Sequence, residues 1–474
     1  MAYETVNPFN NETIKTYPNA TDKELEQVLK TDDALYKKTK KQDIKKRAKV
    51  LHNVASALRD NKDKLAKTAT IEMGKLFRES QGEVELCAII ADWFADHSEE
   101  LLQPKALTSA VTGQAEMHYH ALGTLVMVEP WNFPYYQIMR VFAPNFMVGN
   151  PMILKDASNI PKSAQSFADV IKEASAPKGA LTNMFLSYDQ VTKAIEDKRV
   201  QGVALTGSER GGSSVAEAAG KNLKKNSMEL GGMDPFIILD DADLDKAEDI
   251  AWRVRLYNDG QVCCSDKRFI VMDNVYDKFV AKLKEDFSKV KMGDPMDPST
   301  TLAPMNSKKA KDKLQAQVNA TIKAGAKVVY GDKPVDLPGQ FFMPTILTDI
   351  DKSNPGYSTE FFGPVASVYK VHSEQEAIEM ANDNPYGLGG IVFSGDPQRG
   401  AKVADQIETG MVFVNNFLAS LPSLPFGGVK GSGYGREMSD IGQMAFVNQQ
   451  LIVTAQEPDM HNLAGALIAT DPQK

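Results

Sequence analysis

The chain has 474 residues, 42% hydrophobic and 24% charged, the balance of a soluble globular protein rather than a disordered or fibrous one. No apolar run approaches the roughly 20 residues that a bilayer span needs. A formal charge of −8 argues against broad affinity for nucleic acid. Only Cys87, Cys263 and Cys264 occur, which is no disulfide framework, so a reducing cytoplasm is the expected compartment. The opening Met1–Pro8 lacks the basic-then-apolar pattern of a secretory signal. Length alone suggests about three domains.

The first hundred residues read as helices with charged faces, for example 23–34 and 43–61. The basic run Lys37-Lys38-Thr39-Lys40-Lys41 with Lys45-Lys46-Arg47 is the solvated side of these helices, because Ala48, Leu51, Val54 and Leu58 supply the apolar spacing behind it. Short apolar runs then appear at 122–128, 151–155, 181–186 and 203–206, with helical patterns at 162–174 and 188–196 between them. Strands alternating with helices predict a parallel sheet covered on both faces, with a ligand beyond the carboxyl ends of its strands. A second α/β segment starts at Pro235-Phe236-Ile237-Ile238-Leu239 and continues through a helix at 275–290 to the apolar run 410–414. Glu116-Met117-His118-Tyr119-His120 and Gln450-Leu451-Ile452-Val453-Thr454 read as exposed strands. No internal repeat or low-complexity tract is present.

The motifs that carry chemistry are Glu229, in Met228-Glu229-Leu230-Gly231-Gly232, and Cys263, in Gly260-Gln261-Val262-Cys263. A thiolate can attack a carbonyl carbon, and a carboxylate can then activate the water that cleaves the adduct. Taken singly, Cys263 reads as a buried structural thiol and Glu229 as a solvated turn carboxylate. No histidine lies near the cysteine in sequence, which weakens a Cys–His hydrolase reading.

Together with Asn132 in Glu129-Pro130-Trp131-Asn132-Phe133-Pro134, these motifs resemble the aldehyde dehydrogenase superfamily over nearly the whole chain. Gly207-Ser208 with Gly212, Glu360-Phe361-Phe362-Gly363-Pro364, and 425–428 through 433–437 fall in that family's order. The resemblance implies an α/β fold with a Rossmann-type cofactor domain (1–102 and 122–231), an α/β catalytic domain (232–435), and a β oligomerisation arm (103–121 and 436–474). It implies a homodimer or homotetramer, and a tail from Glu457 to Lys474 that runs past the family's usual end without fixed structure. Cys263 becomes the nucleophile, Asn132 the oxyanion donor and Glu229 the water activator. Glu229 also points to a free acid as product, since relatives that pass the acyl group to coenzyme A generally lack it. Cys264 reads as packing.

Gly207-Ser208-Glu209-Arg210-Gly211-Gly212 opens a helix at 213–219, where backbone N–H groups can meet a pyrophosphate. As a lone string this is only a strand-to-helix turn. By resemblance Thr206, Gly207, Ser208 and Gly212 hold the cofactor phosphates, and Glu360 and Phe362 the nicotinamide ribose and ring. Trp131 packs near the phosphates, and Lys155 takes the adenosine ribose. Ser158 stands where strongly NAD-selective relatives often carry Glu, so NADP is expected to be accepted beside NAD or preferred. Asp156, where relatives often show His or Pro, departs from their pattern. No metal is expected.

Arg140, about two helical turns after Asn132, and Ser420 resemble the carboxylate clamp of succinate-semialdehyde dehydrogenases. Tyr257 departs from it, since some of those enzymes carry a second Arg there. The bland reading is that Arg140 pairs with an internal acid. The expected reaction is oxidation of succinate semialdehyde to succinate with NAD(P). A broader aldehyde or ω-semialdehyde range such as glutarate semialdehyde, a non-catalytic relative and a thioester hydrolase stay open beside it.

Overall fold

The computed structural model describes residues 3–40, 42–109 and 113–457. Two large sheets dominate them. The first runs, from edge to edge, Gly433–Tyr434, Lys225–Glu229, Val200–Thr206, Thr124–Val128, Met152–Lys155 and Leu181–Asn183. All its pairings are parallel except that of Gly433–Tyr434, which lies antiparallel on Met228 and Glu229. Thr124–Val128 sits centrally with an almost wholly buried side-chain run, as a strand covered on both faces requires. The second sheet orders Lys327–Tyr330, Thr345–Thr348, Val365–Val371, Arg268–Met272, Pro235–Ile238, Ile391–Phe393 and Phe413–Val414. Only its first strand is antiparallel.

Helix Tyr136–Val148 is buried along its whole length, so it is apolar nearly all round and packs inside the first core. It has no side-chain cap of its own. Glu83 supplies one from helix Phe77–Leu101, accepting from the amides of Tyr135 (2.7 Å) and Tyr136 (3.0 Å) while its other oxygen pairs with buried Lys75 at 2.6 Å. A carboxylate there satisfies donors that the helix cannot satisfy itself. Truncating a ring in this core, such as Phe142 or Phe167, would cost about 3–5 kcal/mol.

Two features differ from the sequence reading. The N-terminal region is not all helical, because Tyr3–Val6 and Thr13–Tyr17 form an antiparallel hairpin. The arm has three strands, since Lys105–Leu107 joins Gln114–Ala121 and Val447–Thr454. The tail expectation falls at 458–474, outside the described residues. Among the described residues no helix is long and apolar enough to cross a membrane.

Candidate active site

Strand order in the first sheet brings the expected residues into one row. Glu229, Thr206, the loop after Val128 and Lys155 stand at the carboxyl ends of four neighbouring parallel strands. Facing them is the amino end of the second sheet. Cys263 and Glu360 each lie five residues before the starts of two adjacent parallel strands, Arg268–Met272 and Val365–Val371. The site is the cleft between these two sets of strand ends.

The thiol is placed by an unusual turn. Asn258 (φ 51°), Asp259 (φ 54°) and Gly260 (φ 69°) are all left-handed, a conformation costly for residues with a Cβ. Side chains hold it: Asn258 Nδ2 donates to the Asn132 carbonyl (2.9 Å), Gln261 Nε2 to the Asn258 carbonyl (3.2 Å), and the Asn306 amide to Gln261 Oε1 (2.9 Å). Glycine is required at 260, where a Cβ would collide with the Gly363 carbonyl. Asn132 Nδ2 donates to the Gln261 carbonyl at 3.1 Å, so the amide and the thiol's turn are tied together. An amide has two N–H donors, and the second can serve an oxyanion.

Cys263 lines two cavities at once. One, of about 440 Å³, is bounded by Phe133, Tyr136, Arg140, Tyr257, Ser420 and Phe426 among others. The other, of about 260 Å³, is bounded by Trp131, Asn132, Thr206, Gly207, Ser208, Glu360 and Phe362 among others. The rings of Trp131 and Phe362 meet edge-on at 5.7 Å. The hydrogen bond from Cys264 draws the Cys263 thiol below its ordinary pKa; burial opposes this, and Arg140 and Lys267 assist it. Cys264, expected only to pack, therefore shares the larger cavity and is itself held well above the ordinary thiol range by that same bond and by burial.

The smaller cavity suits a dinucleotide phosphate. Ser208 caps helix Glu209–Lys221 through the Gly211 amide (3.3 Å). A Cβ on Gly207 would meet nothing nearer than 3.6 Å, so that glycine leaves open space before the helix's first amides. Glu360 is held by the Gly232 amide (3.1 Å) and Lys267 (3.4 Å). Gly212 lies beneath Leu230, while Lys155 and Ser158 lie farther along the strand ends; none of these three lines this cavity. The Lys155 ammonium rests over the rings of Tyr3 (5.8 Å) and Tyr188 (5.6 Å), and the Ser158 carbonyl accepts from the Glu4 amide.

Glu229 is buried with no hydrogen-bond partner among the described residues on either carboxyl oxygen, and a Cβ on Gly427 would crowd it at 2.6 Å. Burial, then the neighbouring Glu437, push its pKa well above the carboxylate range, while Arg140 pulls the other way. Glu129, fully buried, is raised for the same two reasons.

Arg140 does line the larger cavity, but not as the free clamp the sequence suggests. It is fully buried, its Nε is paired with Glu437, and its Nη2 donates to Thr206 Oγ1 at 3.1 Å. The internal-acid reading thus describes its resting contacts. Its Nη1 lies 3.5 Å from the Tyr136 hydroxyl, with Ser420 beside that phenol, and all three residues line the larger cavity. Sequence reasoning gave no role to Tyr136, Glu129, Lys267 or Glu437. Glu437 stood in a quoted motif, and its charge beside Gly435-Arg436 was the available signal.

The profile of the aldehyde dehydrogenase family matches residues 1–452. The chain is 44% identical over 450 residues to the NADP(+) succinate-semialdehyde dehydrogenase of Deinococcus radiodurans, covering 95% of this chain and 94% of that one. It is 38% identical over 452 residues to a probable succinate-semialdehyde dehydrogenase [NADP(+)] of Synechocystis, at 95% and 99% coverage. Among solved structures, the succinic semialdehyde dehydrogenase of Streptococcus pyogenes in complex with NADP+ superposes with a TM-score of 0.95 at 55% identity, over 96% of this chain and 100% of that one. On the fold, the paired cavities at Cys263 and these matches, the chain belongs to the aldehyde dehydrogenase family.

Proposed function

We propose that the protein oxidises succinate semialdehyde to succinate with NADP+, through a thiohemiacetal and then a thioester on Cys263. The observation that carries this reading is that one thiol faces both cavities. One is bordered by a guanidinium and hydroxyls, the other by a helix N-terminus and Glu360. The names of the relatives support the same substrate and cofactor.

The thiolate of Cys263 attacks the aldehyde carbon, and the oxyanion that forms is received by Asn132 Nδ2 and the Cys263 backbone N–H. The substrate carboxylate is held by the Nη1 edge of Arg140 with the hydroxyls of Tyr136 and Ser420. Thr206, Gly207, Ser208, Glu360 and Phe362, with Gly212, Trp131, Lys155 and Ser158 as further contacts, would hold NADP+, which would supply the acceptor for the hydride that leaves the thiohemiacetal carbon as the oxyanion collapses to the thioester carbonyl. Glu229 then takes a proton from water as the water oxygen attacks the thioester carbon, and the Cys263 sulfur leaves. A base with a raised pKa is suited to work near neutrality. Ser158 favours NADP+ because it offers a hydroxyl where a carboxylate would repel a 2′-phosphate.

In this reading, residues 1–102 and 122–231 bind the cofactor, residues 232–435 carry the nucleophile, and the arm pairs with a second copy to give a homodimer or homotetramer. Strand Val447–Thr454 supports the last point, because it is an open edge with Leu451 56% and Val453 44% exposed. Sedimentation analysis tests it, and a monomer would count against it. The function is tested by crossing a panel of aldehydes with NAD+ and NADP+ and following reduced nucleotide. Failure to favour succinate semialdehyde over butanal would reject the substrate, and failure to favour NADP+ would reject the cofactor.

A further inference from the structure

The turn bearing Cys263 and the loop bearing Glu360 belong to different parts of the chain, yet a hydride can pass only if both keep one spacing. Two buried cations join them. Arg255 spans the backbone: its Nη1 donates to Ser265 Oγ (2.5 Å), its Nε to the Val365 carbonyl (2.8 Å), and its Nη2 to the carbonyls of Phe361 (2.9 Å) and Gly363. Lys267 sits closer to the chemistry. Its ammonium, 1% exposed, donates to the carbonyls of Cys263 (2.6 Å), Val262 (2.8 Å) and Ser265 (3.2 Å), and lies 3.4 Å from Glu360 Oε1.

We propose that Lys267 is a positioning residue that locks the nucleophile's turn to the carboxylate receiving the nicotinamide ribose. The proposal rests on the reading above that Glu360 takes that ribose. An ammonium has three N–H groups and here meets four acceptors, so it can keep the turn's carbonyls while sharing Glu360 with a ligand. Its own backbone is fixed to the second sheet: its amide donates to the Asp234 carbonyl (3.2 Å), and its carbonyl accepts from Ser367 (3.1 Å). The lock is therefore referred to a rigid element and not to a loop. Asp234 and Asp266 are both buried beside it, with burial raising the pKa of each. Asp234 opposes the Cys263 thiolate next door, and Lys267 favours it.

The experiment is a double-mutant cycle read as the single-turnover rate of NADPH formation from saturating succinate semialdehyde. Lys267→Met should slow that rate about ten- to a hundredfold, the loss of a charged hydrogen-bonding hub. In a Glu360→Gln background the same change should slow it several-fold less, because half of the link is already gone. Lys267→Arg, which keeps a cation with several donors, should recover most of the rate. Equal slowing in both backgrounds, an unchanged rate in Lys267→Met, or an arginine variant as slow as the methionine one would each overturn the proposal. If Lys267→Met does not fold, Lys267→Gln, which still donates to two carbonyls, carries the same comparison. Glu360→Gln alone separates the two layers. If it leaves both the rate and the KM for NADP+ unchanged, the ribose reading fails, whatever Lys267 does.

Discussion

Arg140→Ala is the sharpest perturbation, because the same guanidinium serves Glu437 at rest and, in the proposed reading, the substrate carboxylate. Removing it has three separable effects. The charge-assisted bonds to succinate semialdehyde, worth about 1.5–3 kcal/mol, vanish, which is roughly ten- to a hundredfold in kcat/KM. Glu437 loses its partner in a fully buried place, a loss that costs about 3–5 kcal/mol of stability if the carboxylate stays ionised. Arg140 also favours the ionised forms of Cys263 and Glu229, so every aldehyde should react more slowly. Only the first effect depends on the substrate's carboxylate. The assay is therefore the ratio of kcat/KM for succinate semialdehyde to that for butanal, measured beside the melting temperature. Arg140→Met with Glu437→Gln removes the orphaned charge and should restore much of the melting temperature while leaving the ratio low. Arg140→Lys should recover part of the ratio, since an ammonium lacks the planar two-bond grip. Tyr136→Phe and Ser420→Ala should lower it by less. If the two aldehydes fall by one common factor, Arg140 is purely structural and the substrate reading loses its geometric support.

Cys263→Ala should abolish dehydrogenase activity while nucleotide binding, followed by fluorescence titration, stays near normal; steady turnover would refute the nucleophile. Glu229→Gln should give a rapid burst of NADPH equal to the enzyme concentration and then stall, and unimpeded turnover would remove it from the water step. In the wild type, thioester hydrolysis should rise with pH through a midpoint above the ordinary carboxylate range, because burial holds Glu229 protonated below it; a rate flat from pH 5 to 8 would deny this. Ser158→Glu should turn the ratio of kcat/KM values toward NAD+, and an unchanged ratio would place the 2′-phosphate elsewhere.

Much of the site was legible because its signals are local. The turn before Cys263 shows in Gly260, and the helix start after Thr206 shows in Ser208 and its glycines, although the left-handed Asn258 and Asp259 before Gly260 went unread. What escaped were features made by distant or unpatterned residues. The hairpin strand Thr13–Tyr17 is exposed almost throughout, so it carries no alternation to read. Lys105–Leu107 is three exposed residues that become a strand only by pairing with Gln114–Ala121. The partner of Arg140 comes from the far end of the chain, carried in by the stretch whose strand Gly433–Tyr434 lies on Met228 and Glu229.

That stretch explains why the candidate base is so poorly solvated. Gly433 pairs with the backbone of Glu229, and the same stretch sets Gly427 against its carboxyl and brings Glu437 into its field. Glu129, Glu229 and Glu437 are all within the field of the Arg140 guanidinium, and Arg436 acts on Glu229 as well. Burying more than one ionised carboxylate there would be expensive, so protons must be shared among the three. Glu437 holds the salt bridge, while burial raises the pKa of Glu129 and Glu229 well above the carboxylate range. A thiolate beside Arg140 competes for the same cation, and its conversion to a neutral thioester removes that competitor. In the proposed reading, ionisation of Glu229 is thus favoured at the stage when a base is required, because the charge on Cys263 that raises its pKa has gone.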